Sequence, residues 1–226
     1  MQLYIGNKNY SSWSMRPWVL MKESGISFEE VMLRFDSFDR GSKFRTAIER
    51  VSPAGRVPVL VDDGLVVWDT LAIAEYLAER FPEKRLWPAG AQARARARSG
   101  CAEMHSGFMA MRGTLTMNIE ASLPAVGAKA LEEQPAVRAD VERIVAIWSE
   151  LLAQHGGPML FGSFGIADAF FAPVVMRFRT YAVALPAPVA GYVERVVALP
   201  GVAAWIVDAL TERDFRPFEE PHRTAP

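Results

Sequence analysis

The chain has 226 residues, of which 50% are hydrophobic and 23% are charged, so we expect it to fold around a sizeable core rather than remain disordered. The 25 basic and 26 acidic side chains give a formal net charge of −1, which argues against nucleic acid or an anionic membrane as a partner. The single cysteine, Cys101, excludes an intramolecular disulfide and a paired-cysteine redox or zinc motif. We therefore expect a cytoplasmic protein, and the absence of a long uncharged apolar run predicts neither a signal peptide nor a membrane span.

The first 81 residues alternate between strand and helix periodicity. "QLYI" predicts a strand, residues 15–24 a helix that ends at Gly25, "SFEEVML" a second strand and "SKFRTAIERV" a second helix. Two short β-runs then flank Asp63-Gly64, a dipeptide that favours the positive φ angles of a hairpin turn. A helix over "TLAIAEYLAERF" completes the order βαβ, α, ββα, which predicts an α/β domain over residues 1–81.

The remainder of the chain predicts a linker and a second, all-α domain. Residues 82–90, "PEKRLWPAG", contain two prolines and a glycine and are typical of a linker. Residues 91–226 lack β-runs bounded by turns, and their apolar residues recur at helical spacing. The predicted helices cover residues 91–118, 135–154, 166–181, 187–198 and 200–211.

The Val57-Pro58 bond lies at the entry to the predicted hairpin. A trans proline is tolerated at the start of a strand, where its missing N–H removes one ladder hydrogen bond. A cis bond would turn the backbone of Val57 outward and leave its N–H and C=O free to pair with a peptide-like ligand. The residues alone leave both interpretations open.

Three serines lie where the first strand meets the first helix, in "NYSSWSMRPW", residues 9–18. Backbone N–H groups and the helix dipole at this end of a helix favour an anion. A hydroxyl such as that of Ser11 can donate to a bound thiolate and lower the pKa of the thiol. The alternative is that the serine only caps the helix.

A second polar pair, Asp69 and Thr70, precedes the third helix. Both residues can cap that helix, and they can also bind an amino acid, with Asp69 accepting from its ammonium and Thr70 holding its carboxylate. Together with the backbone of Val57 and the hydroxyl of Ser11, they suit a short γ-linked peptide whose thiol points at the serine.

Four motifs in this order resemble the cytosolic glutathione S-transferase superfamily. "SSWSMRPW" resembles the SSxSxRVR signature of serine-type, zeta- and tau-like members, "SPAGRVPVL" the NPxGKVPVL segment with its cis-proline, and "VWDTLAIAEYL" the ESxAIxxYL element. "GIADAFFAPVV" resembles the S/T-x-x-D capping box of a later helix. The resemblance implies a thioredoxin-like N-terminal domain, a helical C-terminal domain, glutathione as cosubstrate, a homodimer and a role in detoxification.

The resemblance also implies roles for individual residues. Ser11 stands five residues before Arg16 and would activate the thiol, with its neighbour Ser12 as the second choice. Val57, held by Pro58, would pair through its backbone with the cysteinyl unit of glutathione.

The two ends of the tripeptide would be bound by other side chains. Asp69 and Thr70 would hold the γ-glutamyl end. Arg56 or Lys43 would offset the glycyl carboxylate, an assignment that rests on charge alone.

The electrophilic substrate is expected between the domains. Tyr10 and Trp13 would line that cleft together with His105, Met109 and Arg112, which fall at spacings of four and three on one predicted helix face. The alternative for these side chains is ordinary core packing. The sequence contains no metal-ligand cluster and no nucleotide-binding motif, so we expect neither a metal nor a nucleotide cofactor.

The function expected from these residues is a glutathione transferase that acts on an apolar electrophile. Trp13 stands where the zeta signature has cysteine, which argues against maleylacetoacetate isomerase activity, and Ser11 is not the cysteine that disulfide exchange requires. Asp69 replaces the usual Glu or Gln, and Gly165 replaces the capping Ser or Thr at small cost. Glutathione-dependent peroxide reduction, cis–trans isomerisation and a non-catalytic glutathione-binding scaffold remain alternatives.

Overall fold

A computed structural model describes residues 1–225. Its N-terminal part contains a four-stranded sheet in the order β2-β1-β3-β4, in which β1 runs parallel to β2 and antiparallel to β3, and β3 pairs with β4 as a hairpin. The strands and the three helices beside them are β1 Gln2–Ile5, α1 Ser12–Glu23, β2 Glu29–Met32, α2 Lys43–Glu49, β3 Val59–Asp62, β4 Leu65–Trp68 and α3 Thr70–Arg80. This arrangement confirms the predicted element order and the thioredoxin-like fold.

A short 3-10 helix, Pro82–Lys84, leads from α3 towards the helical part of the chain. The helices that follow are α4 Ala91–Ser106, α5 Met109–Thr114, α6 Pro124–Glu133, α7 Pro135–His155, α8 Ile166–Thr180, α9 Ala187–Ala198 and α10 Pro200–Glu212. A second 3-10 helix, Pro217–Glu219, lies near the C-terminus. The division into 1–81, 82–90 and 91–226 stays a prediction, and Pro226 lies outside the described residues.

The helical part differs from the prediction in two places. The single helix predicted over 91–118 is wrong, because the chain breaks after α4, where Phe108 adopts a left-handed φ of 57° and buries its ring. Helix α6 lies in the interval 119–134, where no helix was predicted because "LPAVG" combines a proline with a glycine. Pro124 instead lies in the first turn of α6. Backbone N–H groups in a first turn have no acceptor within the helix, so the missing N–H of proline costs no hydrogen bond there.

Helix α8 is the centre of the hydrophobic core. Nearly all of its residues are buried, and it packs against both α1 and α4, so one continuous apolar cluster includes side chains from the sheet-containing part and the helical part. The carboxylate of Asp168 caps α8 by accepting from the backbone N–H of Gly165 at 3.0 Å and of Leu160 at 3.1 Å. The buried hydroxyl of Tyr192 donates to the same carboxylate at 3.0 Å.

Candidate active site

The loop between β1 and α1 is held rigidly by a buried asparagine. The side-chain oxygen of Asn7 accepts from the N–H of Phe35 at 2.7 Å, its amide donates to Asp214 at 2.9 Å, and its carbonyl accepts from the N–H of Ser11 at 2.8 Å. Because this loop is fixed on three sides, the serines that follow it have a defined position.

Ser11 is the N-cap of α1. Its Oγ accepts from the backbone N–H of Ser14, and its hydroxyl donates to the Oγ of Ser14 at 2.7 Å. The Oγ of Ser14 also accepts from the N–H of Gly6 at 3.1 Å. Ser11 is nearly buried, whereas the neighbouring Ser12 is more exposed. The capping interpretation of Ser11 is therefore correct, and it leaves the hydroxyl at the positive end of α1, where an anion is favoured.

Two hollows open beside these serines. The first, which we call the main cleft, has a volume of about 520 Å³ and is lined by Tyr10, Ser11, Ser12, Trp13, Phe35, Phe38, Phe44, Arg45, Gly55, Arg56, Val57, Arg112, Thr116, Met117, Arg177 and Glu219. The second, the side cleft, has a volume of about 530 Å³ and is lined by Trp13, Arg45, Ala54, Arg56, Val57, Pro58, Trp68, Asp69, Thr70 and His105. Four residues line both hollows, so the two adjoin each other along the sheet-containing part of the chain.

The backbone of Val57 faces this groove. The Val57-Pro58 bond is cis. Among residues 1–225, neither the N–H nor the C=O of Val57 has a hydrogen-bond partner. An extended ligand can therefore pair with both groups, as an added strand would.

Asp69 adopts a backbone conformation that is unusual for a residue with a side chain. Its φ is 75°, and it caps α3 by accepting from the N–H of Leu71 at 2.8 Å. Its second oxygen lies 3.3 Å from Nε2 of His105. Residues held at positive φ cost free energy and are concentrated at ligand sites, so this geometry presents the carboxylate to the side cleft.

Thr70 is buried next to Asp69 and accepts a long hydrogen bond of 3.5 Å from the guanidinium of Arg16. The guanidinium of Arg16 also stacks on Trp13, 4.4 Å from the ring centroid, and on Phe170 of α8. Burial lowers the pKa of Arg16 to about 9. Arg16 lines neither cleft, so it supports Trp13 and Thr70 from behind the lining.

Two further arginines lie in the main cleft. Arg112 of α5 also stacks on Trp13, 4.7 Å from the ring centroid, and Arg177 projects from the buried helix α8. Burial, followed by the charge of Arg112, lowers the pKa of Arg177 to about 10, and burial also lowers the pKa of Arg112. Glu219 closes the cleft, and burial raises the pKa of its carboxyl to about 7.

The segment 214–225 crosses from α10 back over the main cleft. Glu220 accepts from the hydroxyl of Tyr10 at 2.7 Å, from the side chain of Asn118 at 2.8 Å and from Arg223 at 2.9 Å. Burial, with the hydrogen bond to Glu220, raises the pKa of Tyr10 to about 12. Tyr10 therefore remains protonated near neutral pH and cannot accept a proton from a ligand there.

Comparisons with known proteins place this groove in a family context. The sequence matches the model of the glutathione S-transferase N-terminal domain over residues 10–80 and that of the C-terminal domain over residues 89–207. The chain belongs to the glutathione S-transferase family. Glutathione S-transferase 1 of Dianthus caryophyllus is 29% identical over 182 residues, which cover 80% of this chain and 78% of that protein. A zeta-class glutathione S-transferase of Euphorbia esula is 27% identical over 73% of this chain and 71% of its own length.

Solved structures of the family are also similar. A glutathione transferase homologue from Burkholderia GL BGR1, solved with bound glutathione, is 28% identical with a TM-score of 0.69, covering 93% of this chain and 98% of that one. A glutathione transferase from Methylococcus capsulatus is 25% identical with a TM-score of 0.66, covering 92% of this chain and 98% of that one. These matches agree with the two-part architecture described above.

Most of the side chains predicted for the family site line the groove. The main cleft contains Ser11, Ser12, Tyr10, Trp13, Arg56, Val57 and Arg112, and the side cleft adds Pro58, Asp69, Thr70 and His105. Lys43 and Met109 line neither hollow. Lys43 is exposed on α2, and Met109 is 67% exposed because the break before α5 turns it away from the face on which His105 lies.

Sequence reasoning missed three charged residues that line the two clefts. Arg45 of α2 lines both hollows, while Arg177 and Glu219 line the main cleft. A signal existed for Arg177, because a charged residue inside the apolar run of α8 is rarely buried without a ligand or partner. Arg45 and Glu219 carry no comparable signal, since charged residues on short helices and near a terminus are usually solvated.

Within residues 1–225, no group of three or more His, Cys, Asp or Glu side chains is placed to hold a metal ion. In the same part of the chain, none of the helices combines the length and the apolar character needed to cross a membrane.

Proposed function

We propose that the chain binds glutathione along the two adjoining clefts and transfers its thiolate to an electrophile in the main cleft. The observation that carries the proposal is the alignment of three features along one groove: the hydroxyl of Ser11, the unpaired backbone of Val57 and the carboxylate of Asp69. Membership of the family and the glutathione bound in the Burkholderia structure support the same ligand.

Each part of the tripeptide has a complementary group. The γ-glutamyl ammonium would lie at Asp69 in the side cleft, with its carboxylate at Thr70 and the N-terminus of α3. The cysteinyl unit would pair with the backbone of Val57. The glycyl carboxylate would lie near Arg56, and Arg45 is better placed to assist than Lys43, because Arg45 lines both hollows.

Ser11 would act on the sulfur. A free thiol has a pKa of about 8.5 and is mostly protonated at neutral pH, whereas only the thiolate is a good nucleophile. On binding, the Ser11 hydroxyl would turn from Ser14 and donate to the sulfur. That hydrogen bond, together with the positive end of α1, would stabilise the thiolate and lower its pKa. The thiolate then forms a carbon–sulfur bond with the electrophile, whose leaving group departs with the bonding electron pair. Ser12 is the second candidate for this role.

Substitution of the hydroxyl tests the proposal. We expect Ser11→Ala to lower kcat by about tenfold to a hundredfold, the worth of one hydrogen bond to a charged group, with the KM for glutathione changed by no more than about twofold. The pKa of the bound thiol, followed by thiolate absorbance, should rise in the same variant. Ser12→Ala is the matched control, and a larger loss in Ser12→Ala would transfer the role to that residue.

Product analysis separates the remaining alternatives. A stable thioether indicates transfer, oxidised glutathione indicates peroxide reduction, and an isomerised substrate with unchanged glutathione indicates isomerase activity. Absence of glutathione binding by calorimetry at millimolar concentration would contradict the whole proposal. Binding without any turnover would instead leave a glutathione-binding scaffold.

We further propose that the chain forms a homodimer in a reducing, cytoplasmic environment. The exposed apolar side chains of Leu65 and Trp68 on β4 lie beside a shallow hollow formed with α3, and exposed apolar patches of this kind mark association surfaces. The reducing environment is supported by the single thiol, Cys101, which is buried and unpaired.

A further inference from the structure

Two guanidinium groups that line the main cleft but not the side cleft, those of Arg112 and Arg177, lack an acidic partner in the described part of the chain. Within residues 1–225, Arg112 and Arg177 form no salt bridge. Arg112 donates to the carbonyl of His105 at 3.2 Å, and Arg177 donates to the carbonyl of Leu115 at 2.8 Å. Each is therefore held in place by neutral carbonyl oxygens and not by a carboxylate within salt-bridge distance.

Arg177 is the stronger of the two observations, because it is only 5% exposed. A buried cation costs several kcal/mol unless an anion or a set of hydrogen bonds compensates it, so buried arginines in proteins are usually paired. The side chain nevertheless lines the main cleft beside Arg112. Two like charges that line one hollow are expected where a ligand supplies the opposite charge.

The lining of the main cleft also includes an aromatic wall. Phe35, Phe38 and Phe44 lie edge to face, with ring centroids between 4.9 and 5.9 Å apart, and all three line the hollow. A ligand that fills the cleft therefore needs a flat apolar body for this wall and an anionic group for the two arginines.

The anion of the main cleft is distinct from the glycyl carboxylate assigned above. That carboxylate has its own cations, Arg45 and Arg56, which line both hollows, whereas Arg112 and Arg177 line the main cleft alone. Glu219 does not neutralise the pair, since it forms no salt bridge with either arginine within the described chain and its carboxyl is protonated to a substantial extent at neutral pH.

We propose that Arg112 and Arg177 bind a carboxylate on the electrophile, so that the second substrate is an aromatic or similarly flat acid rather than a neutral apolar molecule. This inference rests on the proposed transferase function. Attack by the glutathione thiolate on such a substrate, for example an aryl halide, forms the carbon–sulfur bond and releases halide with its electron pair.

A binding experiment tests the site independently of turnover. The full-length chain is saturated with S-methylglutathione, which fills the tripeptide site without reacting, and is titrated with 3,5-dinitrobenzoate and with the neutral 3,5-dinitrobenzamide. We expect the benzoate to bind at least about tenfold more tightly, as one charge-assisted hydrogen bond allows. We expect this ratio to approach one in Arg177→Met and to be recovered in part in Arg177→Lys.

Arg179→Met is the matched control, because Arg179 lies on the same helix but faces solvent, and it should keep the parent ratio. Arg112→Met provides a second, half-buried variant if Arg177→Met does not fold. Equal binding of the two probes by the parent would overturn the inference, as would an unchanged ratio in both Arg112→Met and Arg177→Met. The inference would also be overturned if these variants bound S-methylglutathione more weakly but kept the parent ratio for the two probes. In that case the arginines would bind the tripeptide and not the electrophile.

Turnover distinguishes failure of the inference from failure of the proposed function. The substrates are 4-chloro-3,5-dinitrobenzoate and its methyl ester, each rate being divided by the uncatalysed rate with glutathione. Conjugation of both with no preference for the acid would overturn the carboxylate site and leave the transferase function intact. Selective binding of 3,5-dinitrobenzoate without conjugation of either substrate would support the site and contradict the transferase function.

Discussion

Glu219 is placed to make ligand binding in the main cleft depend on pH. Its carboxyl lies in the same hollow as Arg177 and Arg112, while its neighbour Glu220 is bound to other groups and Tyr10 stays protonated. Burial raises the pKa of Glu219 to about 7, with the charge of Arg177 opposing that rise and the charge of Glu220 adding to it. Glu219 is therefore neutral below pH 7 and competes as an anion for the arginines above it.

The affinity for an anionic ligand should consequently fall as the pH rises through 7. We expect the Kd of 3,5-dinitrobenzoate to increase between pH 6 and pH 8 in the parent and to change much less in Glu219→Gln, which cannot ionise. The Kd of neutral 3,5-dinitrobenzamide, measured in the same titrations, should be nearly independent of pH. A parallel pH dependence in parent and Glu219→Gln would assign the effect to another group.

The residues that could be predicted from sequence are those that belong to local motifs. Ser11, Val57 and Asp69 lie at the ends of strands and helices, where the order of elements alone brings them to one edge of a sheet. Arg177 and Glu219 reach the same cleft from distant parts of the chain, and their positions depend on the packing of helices that no short motif encodes.

The start of α8 has a glycine for a steric reason. A Cβ atom at Gly165 would lie 2.8 Å from the backbone carbonyl oxygen of Leu86, which itself accepts from the N–H of Ile166 at 3.0 Å. The sequence alone indicated that this glycine replaces a capping hydroxyl at little cost. The structure adds that the close approach of Leu86 leaves no room for a side chain.

Restoring the family's capping serine should therefore destabilise the protein. We expect Gly165→Ser to lower the free energy of unfolding by about 1–3 kcal/mol, the usual cost of overpacking, despite the added cap. Gly90→Ser is the matched control, because Gly90 caps α4 and a Cβ there would meet nothing within 4 Å. The free energy of unfolding of Gly90→Ser should be unchanged or higher by about 0.3 kcal/mol. Urea unfolding measures both, and a more stable Gly165→Ser would contradict the steric argument.

The wrong prediction of one helix over 91–118 and the failure to predict α6 have opposite physical origins. Periodicity continued through Gly107 and Phe108, so it gave no sign that the burial of Phe108 breaks the helix there. Pro124 and Gly127 suggested a break, yet Gly127 is needed because a Cβ at this position would lie 2.1 Å from the carbonyl oxygen of Tyr181. A glycine required by close packing and a glycine required by a turn look the same in a sequence.

The segment 214–225 joins the two parts of the molecule. Glu220 is 5% exposed and connects Tyr10, next to the sheet, with Asn118 of the helical part. Phe218 reaches the aromatic wall of the main cleft, 5.3 Å from Phe38 between ring centroids. This segment thus fixes the width of the cleft as well as its closure.

Removal of this carboxylate should loosen the whole molecule. We expect Glu220→Ala to lower the free energy of unfolding by about 3 kcal/mol, because it leaves the buried side chain of Asn118 and the hydroxyl of Tyr10 without their acceptor. Proteolysis within 214–225 should also become faster. Glu142→Ala, which removes an exposed carboxylate on α7, is the control and should change little. Unchanged stability and proteolysis in Glu220→Ala would show that the segment does not bind the two parts together.

The overall architecture was accessible from sequence because it follows from the alternation of strand and helix patterns and then from helical patterns alone. The packing of the sheet-containing part against the helical part could not be predicted in this way. It depends on contacts between α8 and α1 and on the polar contacts of segment 214–225. These contacts lie far apart in the chain and involve residues whose types are common on surfaces.

Trp13 is stacked on by the guanidinium groups of Arg16 and Arg112 and lines both hollows. The ring of His105 packs against it at an angle of 72°, with 5.1 Å between the ring centroids. Its indole is therefore an intrinsic fluorophore next to both hollows. Filling either hollow alters the charges and the water around this chromophore, so its contribution to the fluorescence of the six tryptophans should follow occupancy in real time without an attached dye.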